Sequence, residues 1–151
     1  MAMTMNGQVQ LSASREVVWA KLNDPEVLKG CIPGSEQFDR IAENEFQAVA
    51  TVKVGPVKAR WKGKVRLSDL DPPNSYRISG EGEGGVAGFA KGGAKVSLSD
   101  KDGGTLLTYD VEAQIGGKLA QLGQRLINGA AKKMADEFFQ KFAANVAGGG
   151  A

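Results

Sequence analysis

One change of hydrophobic period, close to Gly116, divides the 151-residue chain and limits what it can fold into. From Ser35 to Ile115 apolar and polar residues alternate almost throughout, the period of strands that bury one face. From Leu119 onward the period becomes 3.6, with Leu119, Leu122, Leu126, Ala130, Met134, Phe138 and Phe142 on one stripe, widened by Ile127, Ala131 and Phe139. A helix from Leu119 to Val146 would be about 42 Å long at roughly 1.5 Å per residue. Turn residues at Glu43-Asn44, Val54 to Val57, Asp69 to Asn74 and Asp100 to Gly104 cut the alternating region into six consecutive antiparallel strands. Upstream, Val9 and Leu11 mark a first strand. Ser12 or Ser14 then caps a short helix carrying Val17, Val18 and Leu22, and Pro25 opens a second that reaches about Lys29.

A sheet of about seven strands must curl to bury its apolar face, and the long helix is the one element large enough to fill the concavity. The expected fold is α+β: a helix-grip domain over residues 5–147, with a curved antiparallel sheet of about seven strands around a long C-terminal helix and two short helices after the first strand. Residues 1–4 and 148–151 are expected to be flexible termini.

The segment Val57 to Leu67 fixes the facing. Its odd positions Val57, Ala59, Trp61, Gly63, Val65 and Leu67 are apolar or small, whereas Lys58, Arg60, Lys62, Lys64 and Arg66 are all cationic. The inner face then carries many Ala and Gly residues, and such a face leaves two solutions. Either an apolar cavity remains between sheet and helix, or Trp61, Phe138, Phe139 and Phe142 fill the space at ordinary density. For the cavity, the strands supply Ala50, Trp61, Ile78, Val96 and Tyr109 as ligand-binding residues, and the helix supplies Leu122, Leu126, Ile127, Ala130 and Met134. Its mouth is expected where Ile32-Pro33 and Phe89 meet the helix near Leu122 and Leu126, between the glycine-rich stretches Gly30 to Gly34 and Gly84 to Gly93.

Absences narrow the chemistry. With no histidine and one cysteine, Cys31, the chain cannot build a Ser-His-Asp or Cys-His relay, a His-ligated metal centre or an internal disulfide, so no metal site is expected. A net charge of +2 gives no reason to expect nucleic acid as partner. No stretch approaches 18 consecutive apolar residues, and no signal-like segment opens the chain, which predicts a cytoplasmic protein.

The Gly80-Glu81-Gly82-Glu83-Gly84-Gly85 match to a dinucleotide fingerprint reads as a strand end, because Glu81 and Glu83 would repel a phosphate. Asp100 to Gly104 reads as a hairpin turn rather than a calcium loop. Cys31 reads as a small buried hydrophobe. Asp110 and Glu112 alternate away from Tyr109, so no convergent acid-base pair is visible and an enzyme is disfavoured. The cations Lys58, Lys62, Lys64 and Arg66 form a candidate patch for a membrane or partner, with Lys62 expected opposite Glu81 and Arg60 opposite Glu83.

Three segments resemble a known family: Asp24 to Gly34 (DPEVLKGCIPG), Gly55 to Lys58 (GPVK) and above all Gly116 to Ile127 (GGKLAQLGQRLI). Together they are similar to the G-subunit family of carbon monoxide dehydrogenase, within the START-like, polyketide-cyclase-like superfamily, over about Met5 to Val146. The resemblance implies a non-enzymatic accessory protein of molybdenum hydroxylases of the carbon monoxide dehydrogenase type. It implies an apolar, quinone- or lipid-like ligand and no cofactor of its own, since the molybdenum, iron-sulfur and flavin centres belong to the partner enzyme. It also implies a peripheral place at the inner face of the membrane. The rival expectations are a docking or assembly protein with a filled core, and a cyclase-like enzyme acting on an apolar substrate.

Overall fold

In the computed structural model, which describes residues 1–149, the alternating segments become seven strands: β1 (Ala2–Leu11), β2 (Ser35–Ala42), β3 (Glu45–Val54), β4 (Val57–Asp71), β5 (Ser75–Glu83), β6 (Phe89–Lys101) and β7 (Gly104–Gly116). They form one antiparallel sheet in the order β1-β7-β6-β5-β4-β3-β2. Between β1 and β2 lie α1 (Arg15–Leu22) and α2 (Pro25–Cys31). Ser14 caps α1 by accepting from the Val17 N–H, and Asp24 caps α2 by accepting from the Glu26 N–H. The helix-grip architecture expected from the sequence is therefore the one observed, closed by α3 (Gln124–Gly149).

Four details differ from expectation. The long helix does not begin at Leu119: a 3-10 turn at Ala120–Leu122 ends at Gly123, whose φ of +93° interrupts the path, and α3 starts at Gln124. The helix then passes through Gly129 unbroken. Residues 1–4 are not a loose start, because β1 begins at Ala2, opposite Gln114, and the Met1 carbonyl accepts from the Ile115 N–H at 2.8 Å. At the other terminus α3 runs to Gly149, and the expected tail positions 150 and 151 lie outside the described residues.

The fourth difference is one of register. Lys62 lies opposite Glu83 and Lys64 opposite Glu81, two residues from the expected pairing. The strand β4 continues to Asp71, so the reversal is confined to three residues, with a bulge between Ser68 and Asp71 where Asp69 adopts φ +51°.

The connection from β5 to β6 shows why glycine is needed. Gly88 has φ +116°, and a Cβ there would stand 1.9 Å from the Gly116 carbonyl oxygen. Gly88→Ala is expected to cost at least about 2 kcal/mol in urea unfolding, since the left-handed penalty of about 1–2 kcal/mol is joined by a backbone clash. Gly85→Ala, at φ +61° with open space around it, is expected to show the conformational penalty alone.

The core is divided. At the end where α1 and α2 pack, Leu11, Val18, Leu22, Phe38, Phe46, Tyr76, Leu98, Leu107, Phe142 and Val146 form one buried cluster. At the opposite end Met3, Val54, Ile115, Leu119 and Ile127 form a second.

Candidate functional site

Between the two clusters, the concave face of the sheet is paved with small side chains. Ala48, Ala50, Gly63, Gly80, Gly92 and Ala94 all sit at inward register positions, and each is half-buried rather than buried. Gly63, Gly80 and Gly92, without side chains, also reach the outer face, where they line clefts among Lys62, Lys64, Arg77 and Glu81. Here α3 makes its nearest backbone approach to β1 and β3, towards the two sides of the sheet, and meets the central strands through long side chains such as Phe139 and Phe142.

Two clefts lie beside the helix, one on each side. One, of about 470 Å³, lies between β1 and α3 and is lined by Met3, Met5, Gly7, Tyr109, Ala131 and the polar rim of Asn128, Lys132 and Asp136. Lys132 and Asp136 pair there at 2.9 Å, which raises the Lys132 pKa through the hydrogen bond and the neighbouring charge. The other, of about 160 Å³, lies between β3 and α3, lined by Pro33, Gly34, Val52, Ala130 and Met134 with Lys53, Lys133 and Glu137 at its edge. The β1 cleft was missed from sequence, although Met3, Met5, Gly7, Val9 and Leu11 alternate inward along the first strand and carry that signal.

The expected site residues divide accordingly. Trp61 faces inward opposite Ala50, packs on the second cluster and lays its ring over Gly84, whose hypothetical Cβ would meet it at 2.9 Å. Val96 is buried within the first cluster, and Ile78 packs against it from the inner face. Tyr109 stacks on Phe139 with centroids 5.1 Å apart and crosses above Gly7 at the β1 cleft. Ile127 is buried in the second cluster, and Ala130 and Met134 reach the β3 cleft beside Pro33.

The expected mouth is corrected. Ile32 packs against the first cluster, and Pro33 meets Ala130 and Met134 rather than Leu122 and Leu126. Those two leucines instead cover Gly55 in the β3–β4 turn, and Leu126 is 41% exposed. Phe89 is on the wrong face for a cavity residue: it opens β6 at an outward position, opposite Glu83 and Gly116, with its ring against Gly116. Alternation along β6 makes Ala90, not Phe89, the inward residue, so Phe89 was misplaced by attention to its glycine neighbours.

The outer face also differs from a plain cationic row. Arg66 reaches Glu45 at 3.6 Å, Arg60 pairs with Glu36 at 3.2 Å and Arg77 with Glu112 at 2.9 Å. With Lys62 and Lys64 opposite glutamates, most of this face is a lattice of alternating charge. Lys58 stands apart, opposite another cation, Lys53.

Tyr76 and Cys31 are held away from reactivity by burial. Tyr76 is 3% exposed, edge-on to Trp19, and desolvation pushes its hydroxyl far above the ordinary tyrosine range, so it stays protonated. Burial likewise pushes the Cys31 thiol up, partly offset by Lys141, which keeps it from being a ready nucleophile. Among the described residues no cluster of His, Cys, Asp or Glu is arranged to hold a metal ion, and no helix is long and apolar enough to cross a membrane.

Comparison with known proteins agrees with this architecture. A family model for the G subunit of carbon monoxide dehydrogenase (CoxG) matches residues 7–147. A conserved protein from Geobacillus kaustophilus is 34% identical, with a TM-score of 0.90 over 96% of this chain and 95% of that one. The Zhui aromatase/cyclase from Streptomyces sp. R1128 is similar at 12% identity and a TM-score of 0.69, over 97% and 96% of the two chains. Ara h 8.0201 is similar at 14% identity and a TM-score of 0.66, over 98% and 99%. Those last two likenesses speak for the fold alone. No curated protein matches.

Proposed function

Because the chain belongs to the CoxG family of carbon monoxide dehydrogenase, we propose that it is a non-enzymatic accessory protein of a molybdenum hydroxylase of the carbon monoxide dehydrogenase type. In this reading it carries an apolar, quinone- or lipid-like molecule between sheet and long helix and links the enzyme to the cytoplasmic face of the membrane. The observation that carries the ligand half is the set of small, half-buried alanines Ala48, Ala50 and Ala94 at inward positions between two separate buried clusters, with clefts along both sides of α3. Ala50, Trp61, Ile78, Tyr109, Ala130 and Met134 are the residues best placed to line it.

The chemistry of the face supports carriage over catalysis. Acid-base work on a bound substrate needs two polar groups that converge on it. Tyr76 is locked in its protonated form by burial, while Asp110 and Glu112 occupy outward, exposed positions on β7. The carboxylates near the clefts, Asp136 and Glu137, stand on the rims. Clefts that mix apolar residues such as Met3 and Met134 with polar ones such as Asn128 and Glu137 suit a molecule with a polar head and an apolar body.

Native mass spectrometry and organic extraction of the purified protein test this reading, together with titration by decylubiquinone followed through tryptophan fluorescence. A stoichiometric apolar molecule, or saturable quenching by the quinone, is the expected result. A protein that yields no such molecule and leaves the quinone unbound is a docking protein with a filled core instead.

A further inference from the structure

We infer that the end of the sheet formed by the β3–β4 turn, the β5–β6 connection and the segment leading into α3 docks on an anionic lipid surface. This rests on the membrane-linking half of the function proposed above and gives it a surface. Because the strands are antiparallel, their connections gather at two ends, and the two ends carry opposite charge. At one end the turns after β2, β4 and β6, with the strand residues that flank them, bring together Glu43, Asp69, Asp71, Asp100 and Asp102; of the cations there, Arg15 pairs with Asp100, Arg40 donates to the Glu43 carbonyl and Lys101 makes no ion pair among the described residues. At the other, Lys118 in the segment before α3 joins Lys53, Lys58 and Arg125 at the adjoining ends of β3, β4 and α3, against Glu83 at the end of β5. All four of these cations are exposed, and none makes an ion pair among the described residues, whereas Arg60, Arg66 and Arg77 on the sheet face are all paired.

The basic end also holds apolar side chains that face water. Val86, at the crest of the 3-10 turn Gly85–Ala87, is 87% exposed, and Leu126 is 41% exposed over the β3–β4 turn. The elements that carry them are contiguous: the Leu119 N–H donates to the Ala87 carbonyl, and Leu122 and Leu126 cover Gly55. Exposed aliphatic groups ringed by unpaired cations complement a surface with anionic headgroups over hydrocarbon, where each cation contributes and the apolar groups insert. An acidic protein would match the charges but has no hydrocarbon layer to receive Val86 at the crest of its turn. The acidic end points away from the lipid, which fixes the orientation of the molecule.

Vesicle flotation of the full chain tests this, with phosphatidylcholine alone and phosphatidylcholine mixed with phosphatidylglycerol. Partition is expected onto the mixed vesicles only, falling as ionic strength rises. Lys58→Glu with Lys118→Glu is expected to weaken it about 30-fold, from roughly fivefold for each cation lost. Val86→Asp, at a position that touches little, is expected to weaken it while leaving the circular dichroism spectrum unchanged. Lys64→Glu, on the sheet face, is expected to leave it unaltered. Absence of partition, equal partition onto neutral vesicles, or a loss with Lys64→Glu matching that of the tip variants overturns the inference. Decylubiquinone titration of the same samples separates the two claims: quinone binding without vesicle binding sinks the docking surface alone, and vesicle binding without quinone binding sinks the carrier alone.

Discussion

Phe142→Ala is expected to lower the unfolding free energy by about 3–5 kcal/mol, because it empties the point at which the long helix is gripped. The ring is fully buried at 0% exposure, lies nearly parallel to Phe138 at 5.9 Å and belongs to the cluster that joins α1, β1 and the C-terminal part of α3. Urea unfolding followed by circular dichroism measures the loss. Leu126→Ala provides the contrast: it lies on the same 3.6-residue stripe in sequence but is 41% exposed, and the expected cost is below about 1 kcal/mol. Similar losses for the two variants would show that the helix is held evenly along its length, against the divided core.

Ala50→Phe is expected to abolish capture of the apolar molecule while changing stability by less than about 1 kcal/mol. The reason is where Ala50 sits, opposite Trp61 on the concave face and half-buried between the clusters. A larger side chain there occupies the space a ligand would take. If that space is already filled by protein, the added ring must displace neighbours, at about 1–3 kcal/mol. Extraction of the purified variant together with its urea midpoint reads both quantities. A destabilised variant whose bound material matches that of the wild type would place the ligand elsewhere.

The architecture was legible because two local signals agreed everywhere. Alternation along Val57 to Leu67 assigned the inner face of β4 correctly, and the remaining strands followed by pairing. The turn residues located all six strands after α2, and Ser14, Asp24 and Pro25 placed the short helices. What was not legible depended on geometry that periodicity does not encode. The stripe Leu119, Leu122 and Leu126 fits a continuous helix as well as a 3-10 turn followed by one, and the positive φ of Gly123 decided it. The bulge between Ser68 and Asp71 moved the cross-strand partners of Lys62 and Lys64, and with them the compensation of the cationic row. The mouth was misjudged for a related reason. Glycine density around Phe89 suggested a mouth, but Gly88 and Gly117 are there so that two backbones can touch, and Gly116 makes room for the Phe89 ring.

The unequal division of the core also bears on kinetics. The second cluster closes its end of the molecule with Met3, Val54, Ile115, Leu119 and Ile127, far fewer buried side chains than secure the end with α1 and α2. That end is therefore expected to open at a lower free energy than the whole domain unfolds, as a separate cooperative unit. Amides of Ile115 and Leu119 would then exchange with solvent faster than those of Leu107 and Phe142 under conditions where the fold is intact. A bound molecule leaving by this route is released at the rate of a partial opening, so its residence time is set independently of the lifetime of the folded protein.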